Sequence, residues 1–430
     1  FNANTFGITP LSLSYGRAYG NDSTVFGLTI DYTNIEYFQD FNNDGILSDF
    51  INNRTNFSNP PEGIEVKTNY SKKFNKGIYK YLGRYTDYSL GTVDSDIGTS
   101  FNLNNNNLFL LTTYKGELTD DLLIQLGLSY SDNTNDSEII IDNFPVNINS
   151  YDDLLQFRTV LTKKISSKTK LKFGFHLFDQ SSKFMNYVFD GLELGVPSED
   201  YSREVIVNEF LSTGFTEFDL KFSKKIAINA GLRYENSQLL NQSSFSPRFS
   251  SAYKIGKNSQ ISYAYGKFFQ TPDMGLDQWY RQNNIITDYS DSGLNFERSI
   301  HHILNYEWSK KGKMIRLELF DKQYDNLILL ESENCIGEYC INDLNNEGYG
   351  YSKGAELFWR YDQTLDGIGQ DIWIAYSYLD SKRKFKQYND EIIPSFASNH
   401  KLTFIYKNGF KLSNDAGFNT SLAITATSGY

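Results

Sequence analysis

Residues 246–273 read SPRFSSAYKIGKNSQISYAYGKFFQTPD, and their alternation decides the fold. In an extended chain Pro247, Phe249, Ser251 and Tyr253 fall on one face, and Arg248, Ser250, Ala252 and Lys254 on the other. Gly256, Lys257 and Asn258 supply a tight turn, after which Ile261, Tyr263 and Tyr265 oppose Gln260, Ser262, Ala264 and Gly266. One face is apolar or aromatic and the other small, polar or charged. A short turn at one end and a long polar loop at the other complete the pattern of a transmembrane β-barrel hairpin.

The rest of the chain repeats this unit. Strands are expected near 7–19, 23–37, 63–74, 77–90, 105–117, 121–133, 152–164, 168–178, 203–223, 225–236, 246–255, 258–268, 298–309, 313–324, 352–362, 371–383, 397–407 and 413–427, about eighteen in all. Alternate connections are long, at 38–62, 91–104, 134–151, 179–202, 237–245, 269–297, 325–351 and 384–396, whereas those between them are mostly tight. Short turns on one side and long loops on the other define an up-and-down meander with its long loops outside the cell. Leu171, Phe173, Phe175 and Leu177 alternate with Lys170, Lys172, Gly174 and His176, and Ile315, Leu317 and Leu319 with Arg316, Glu318 and Phe320. A soluble sandwich also alternates. Charge recurring on the inner face, with Tyr306, Trp308, Trp359, Tyr376 and Tyr378 near strand ends, favours the membrane.

Composition narrows the class. The 430 residues hold 33 Phe and 31 Tyr but only 8 Pro and 2 Cys. No apolar run is long enough to span a bilayer as a helix, and the mean hydropathy of −0.47 agrees. That excludes a helical membrane protein but not a barrel, in which every second residue faces lipid. A net charge of −11 offers no basic stripe for nucleic acid. Phe1 begins without a basic n-region or an apolar h-region, so for an outer-membrane protein an N-terminally trimmed chain is expected.

Ser246-Pro247-Arg248, two strands around a tight turn, Tyr265-Gly266-Lys267-Phe268-Phe269 and Gln270-Thr271-Pro272 resemble a late barrel hairpin of TonB-dependent outer-membrane receptors. Tyr324-Asp325-Asn326-Leu327-Ile328 and then Gly350-Tyr351-Ser352-Lys353-Gly354-Ala355-Glu356-Leu357 resemble the family's next landmark, in its Bacteroidota-type version. The resemblance covers barrel over 1–430 and implies about twenty-two strands, so about four are expected to be missing. It implies a fragment incomplete at both ends, lacking the plug domain and the segment that engages TonB. It further implies outer-membrane residence and TonB-dependent uptake of a scarce nutrient, whether siderophore-iron, a corrinoid or an oligosaccharide. A surface lipoprotein partner, as in some relatives, stays open.

Candidate site residues fall into four groups. Inward Lys172, Arg233, Glu235, Arg248, Arg316 and Glu318 are expected to line the lumen, facing a plug or water. Trp279, Tyr280, Arg281 and Gln282 in a long extracellular loop suit ligand contact through stacking and hydrogen bonding, and suit loop packing equally. Asp40, Asn42, Asp44, Gly45 and Ser48 follow calcium-loop spacing, but Ile51 stands where a bidentate acid belongs, so structural calcium competes with an Asn/Asp-rich turn. Cys335 and Cys340 suggest a small disulfide pinching a loop tip outside the cell.

No catalytic constellation emerges. His176, His301, His302 and His400 are scattered, and neighbours such as His301 and His302 point to opposite faces of a strand, so they do not share a metal. Nucleophile elbows, phosphate loops and dinucleotide fingerprints are missing, and an enzyme is not expected. Two rivals stand beside the receptor: a passive porin-like channel, and a secreted all-β carbohydrate-binding protein, which would show a repeat of about forty to fifty residues.

Overall fold

The computed structural model describes residues 10–20, 23–34, 56–94, 99–141, 144–188, 201–272, 294–336, 339–364, 369–386, 388–411 and 417–428. Nineteen strands follow one another: β1 Pro10–Tyr19, β2 Thr24–Asn34, β3 Asn56–Phe74, β4 Gly77–Asp94, β5 Thr99–Thr119, β6 Leu122–Ile141, β7 Phe144–Lys164, β8 Thr169–Val188, β9 Tyr201–Leu220, β10 Ile226–Ser237, β11 Gln242–Lys254, β12 Ser259–Gln270, β13 Glu297–Lys310, β14 Lys313–Ile336, β15 Tyr339–Asp362, β16 Gly369–Phe385, β17 Tyr388–Ile392, β18 His400–Lys411 and β19 Gly417–Thr427. There is no helix among the described residues.

The chain divides into two compact units: Phe1–Thr162, Gly174–Thr213 and Asp273–Ile285 form one, and Lys163–Phe173, Gly214–Pro272 and Ile286–Tyr430 the other. In the first, β1 to β6 pair in order, each antiparallel to the next. Leu126, Leu128 and Tyr130 of β6 lie opposite Tyr114, Thr112 and Leu110 of β5, one apolar face of the hairpin. Farther along, Asn104–Asn107 face Asn133–Asp136. There Asn105 donates to Asn133 at 3.0 Å and Asn102 to Glu138 at 3.1 Å.

In the second unit β10 to β16 pair in order, β16 pairs with both β17 and β18, and β18 with β19. Register lays its apolar face out in rows. Trp308, Ile315, Trp359, Ile374 and Phe404 form one row; Tyr306, Leu317, Leu357, Tyr376 and Leu402 the next; Leu304, Leu319, Ala355, Tyr378 and His400 the third. Above them run His302, Asp321, Lys353 and Asp380. Leu304, Leu317, Leu319, Leu357 and Leu402 are all exposed, an apolar surface that water would penalise and lipid would not. From Lys313 to Asp321 the band covers about nine residues, the span of a tilted transmembrane strand.

Two glycines fix local geometry. Lys311 and Gly312, both at positive φ (47° and 75°), make the two-residue turn that matches strand twist. A Cβ on Gly312 would strike the carbonyl of Asp362, whose amide donates to Gly312 O at 2.7 Å. At Gly354 an ideal Cβ would lie 2.5 Å from Phe320 Cζ, so the glycine lets that ring cover the neighbouring strand.

The structure corrects the sequence reading in three places. The expected long connection 237–245 is a four-residue turn between Ser237 and Gln242, with Asn241 at φ 50° and Leu240 N donating to Ser237 Oγ. The expected loops 91–104, 134–151 and 325–351 are mostly strand; in the first two the Asn102 and Asn135 side chains bond across the ladder rather than to their own backbone. A nineteenth strand, β17, stands inside the expected loop 384–396. Strand β3 also includes Pro60 and Pro61, accommodated where its register with β4 slips between Asn59 and Glu62.

Candidate functional site

The polar face of the second unit is where the predicted inward residues fall. Gly231 lies opposite Arg248, Arg233 opposite Ser246, and Glu235 opposite Ser244. Glu307 lies opposite Arg316 and Asn305 opposite Glu318. The Glu217 side chain lies against Gly231, and Glu217 meets Lys172, so all six predicted residues share one face.

They do not converge on one point. Lys172 Nζ lies 2.8 Å from Glu217 Oε2 and 3.3 Å from Asp219 Oδ2, and Asn229 Nδ2 donates to Asp219. Arg233 pairs with Glu235 at 2.6 Å, and Glu235 is buried. The Arg248 guanidinium sits 4.8 Å above the Phe268 ring and that of Arg316 5.8 Å above Phe358. Glu318 accepts from Asn305 Nδ2 at 3.2 Å. Near the short turns, Arg360 bridges Asp371 (2.8 Å) and Asp362 (2.9 Å). The Asp362 carboxylate also accepts from the Thr364 hydroxyl and amide, and these bonds hold its pKa below the usual range.

Between these charges the wall is lined with small residues. Ser250, Ala252, Ser262 and Ala264, flanked by Asp219 and Asn229 on one side and Asn305 and Glu318 on the other, line a concavity of about 520 Å³. Farther along β11, on the same face, Ser244 and Ser246 are buried and their hydroxyls have no partner among the described residues. A buried hydroxyl left unpaired costs about 1–3 kcal/mol. In the first unit the corresponding feature is an ion network in which Lys67 reaches Asp31 (3.6 Å) and Glu65 (2.5 Å), and Arg84 also pairs with Glu65.

Sequence reasoning missed Asn346. Its Oδ1 accepts from Asn295 N at 2.6 Å, and its Nδ2 donates to Asn295 O at 3.2 Å and Asn326 O at 2.8 Å. These bonds fasten the segment leading into β13 to the bend in β14, where Asn326 has φ 57° and Glu297 accepts from Ile328 N. Loop Asn residues look alike in sequence, and only the register of β14 with β15 singles this one out.

Trp279, Tyr280, Arg281 and Gln282, and the calcium candidates Asp40, Asn42, Asp44 and Ser48, lie outside the described residues. Cys335 and Cys340 are directly opposed in the register of β14 and β15, while their side chains are outside the description. Among the described residues no three His, Cys, Asp or Glu side chains gather as a metal site. His301 lies on the polar face against Phe268, with ring centroids 4.7 Å apart, whereas His302 lies on the opposite face.

A meander of tall antiparallel hairpins, apolar and exposed on one face and charged on the other, defines the class of outer-membrane β-barrels. Residues 2–427 match the family model for the TonB-dependent receptor-like β-barrel, and the chain belongs to that family. It is therefore a receptor barrel of the outer membrane, of a transporter family and not an enzyme. Similar solved structures include the outer membrane transporter YddB from Escherichia coli, with 11% identity and a TM-score of 0.68 over 97% of this chain and 67% of that one. The ferric yersiniabactin uptake receptor FyuA from Yersinia pestis gives 10% identity and a TM-score of 0.71, covering 97% and 66%. The ferric enterobactin receptor PfeA from Pseudomonas aeruginosa gives 12% and 0.67, covering 98% and 66%. This chain thus spans about two thirds of the length of these structures. No curated protein matches it.

Proposed function

We propose that the chain forms, over 1–430, the barrel of a TonB-dependent receptor that captures a scarce nutrient at its long loops and admits it when TonB pulls on a plug. The observation that carries this reading is the polar wall of the second unit, where Lys172, Arg233, Glu235, Arg248, Arg316 and Glu318 share one face. A passive channel would present such groups to water. A plug seated on the wall would bond these side chains or the water around them. Transporter barrels of about twenty-two strands hold such a filling, whereas small barrels fill with side chains.

A ferric siderophore is the first ligand to test, in keeping with the ferric-chelate receptors among the similar structures, ahead of a corrinoid or an oligosaccharide. Trp279, Tyr280, Arg281 and Gln282 are proposed to contact it, Asp40, Asn42, Asp44 and Ser48 to hold a structural calcium ion, and Cys335 and Cys340 to form a disulfide. Directly opposed strand residues have the Cα separation that such a bridge needs. The test is uptake of radiolabelled iron chelates, corrinoid and oligosaccharide by cells expressing the full-length gene, with and without TonB. Accumulation of one ligand only when TonB is present supports the reading. Equal entry without TonB overturns it in favour of a passive channel.

A further inference from the structure

On the polar face of the second unit, three contiguous rows across β10 to β16 hold cations and no carboxylate. One row runs in register from Gly231 through Arg248, Gly266, His301 and Lys322 to Ser352. The next row, toward the long connections, includes Arg233 on β10, Phe268 on β12, Tyr324 on β14 and Arg383 on β16, the last two both opposite Gly350. The next row toward the short turns includes Asn229, Ser250, Phe320 and Gly354. Only Arg233 among these arginines and lysines has an acidic partner, Glu235.

The other three cations are built into the wall in one way, stacked on a ring beside a glycine. The Arg248 guanidinium lies 4.8 Å above Phe268, whose ring folds back over Gly266, 2.6 Å from where a Cβ would stand. Lys322 Nζ lies 5.2 Å above Phe320, the ring that covers Gly354. Arg383 crosses Gly350, where a Cβ would come within 2.7 Å of its Cγ, and reaches Tyr324 at 4.2 Å and Phe396 at 5.2 Å. Stacking holds each long side chain in place, so little rotamer freedom is left to lose when the charge meets a partner. None of the three forms an ion pair among the described residues, and Arg383 Nε is buried with no hydrogen-bond partner there.

The acids around the belt are held elsewhere or lie beyond it. Glu217, against Gly231, is bonded to Lys172. Glu318 and Glu356 stand one row farther toward the short turns, where Glu318 accepts from Asn305. Glu297 stands one row farther the other way and accepts from Ile328 N, and Asp390 of β17 makes no bond to Arg383. Arg248, Lys322 and Arg383 therefore leave the belt positive. At about 4.8 Å between strands, Arg248 and Lys322 are about 14 Å apart and Lys322 and Arg383 about 12 Å, more than one phosphate or carboxylate spans. We infer that this belt binds a polyanionic organic ligand about 10–20 Å across, such as a metal chelate bearing several acidic groups, in preference to a neutral oligosaccharide. This rests on the receptor reading above, which brings a ligand to this face.

The full-length receptor in nonionic detergent would be titrated against pyranine, a trisulfonated pyrene dye, and followed by dye anisotropy. Saturable binding is expected, and Arg248→Gln, Lys322→Gln and Arg383→Gln combined should weaken it by about tenfold or more, each charge being worth about two- to fivefold. Lys224→Gln, Lys257→Gln and Lys310→Gln remove the same charge at the exposed short turns and should leave binding within about twofold. Arg248→Lys with Arg383→Lys keeps the charge and should retain most of the affinity. Heat-modifiable mobility checks folding; should the triple variant not fold, Lys322→Gln alone, with a loss of about threefold, carries the test. Unchanged binding in the belt variants would overturn the inference, as would an equal loss in the turn variant, which would mean diffuse charge alone. Absence of dye binding in the unaltered receptor would also overturn it, because the rows would then be closed by the receptor's own plug. The titration needs no TonB, so it and the uptake test above fail independently.

Discussion

Leu317→Arg and Glu318→Arg place the same charge on adjacent residues of β14, and the two faces predict very different costs. Leu317 is 40% exposed and sits in the middle of three apolar rows, with Trp308, Ile315 and Trp359 on one side and Leu304 and Leu319 on the other. An arginine at the bilayer midplane costs about 2–4 kcal/mol in a transmembrane barrel. Glu318 faces Asn305 and, across β15, Glu356; arginine there removes one hydrogen bond and a like-charge opposition, a net change of at most about 1 kcal/mol. The difference, about 2–3 kcal/mol, corresponds to roughly 1 M in urea midpoint for an m-value of about 2–3 kcal/mol/M. Protein folded into short-chain phosphatidylcholine vesicles and unfolded in urea, followed by tryptophan emission, would read it directly. Equal midpoints, or the larger loss at Glu318, would refute the assignment of faces.

Gly312→Ala should destabilise the β13–β14 hairpin by about 1–3 kcal/mol through positive φ and collision with the Asp362 carbonyl, whereas Lys311→Gly should stabilise it by several tenths to about 1 kcal/mol; urea midpoints distinguish the two. Asn346→Leu should weaken ligand binding severalfold by releasing the segment that enters β13 while leaving the barrel midpoint within about 0.5 kcal/mol, measured by ligand titration on folded protein. Alanine at Trp279 and Tyr280 should reduce uptake without affecting heat-modifiable mobility on gels; loss of that mobility would mean loop packing instead. Labelling Cys335 and Cys340 with a thiol reagent should succeed only after reductant, and reaction beforehand would rule out the disulfide.

What sequence could show depended on whether the signal was local. Ile315, Leu317 and Leu319 against Arg316, Glu318 and Phe320 are a period-two pattern on one strand, so faces and strand were legible without any partner. The run Asn104–Asn107 was not, because asparagine signals turns until a second strand offers its side chains acceptors, as Asn133 and Asn135 do. Tyr388–Ile392 shows no apolar alternation; it extends only by pairing with β16. The polar wall was half legible. Parity placed Lys172, Arg248 and Glu318 on one face, yet Lys172 and Glu217 are 45 residues apart, and only register shows that they meet. Asn346 and the Tyr263–His302 and Tyr376–His400 bonds likewise depend on which strand lies alongside.

The central claim, that the face bearing Leu317 meets lipid, is tested most directly by nitroxide scanning of β14. Single cysteines from 313 to 325, labelled in vesicles, would be probed with oxygen, which partitions into acyl chains, and with a water-soluble nickel chelate. The account predicts a period of two, with oxygen favoured at 315, 317 and 319, the chelate favoured at the even positions, and a switch to the chelate on the odd face at 321. Uniform chelate access along the strand, or a lipid-facing signal at 316 and 318, would contradict it.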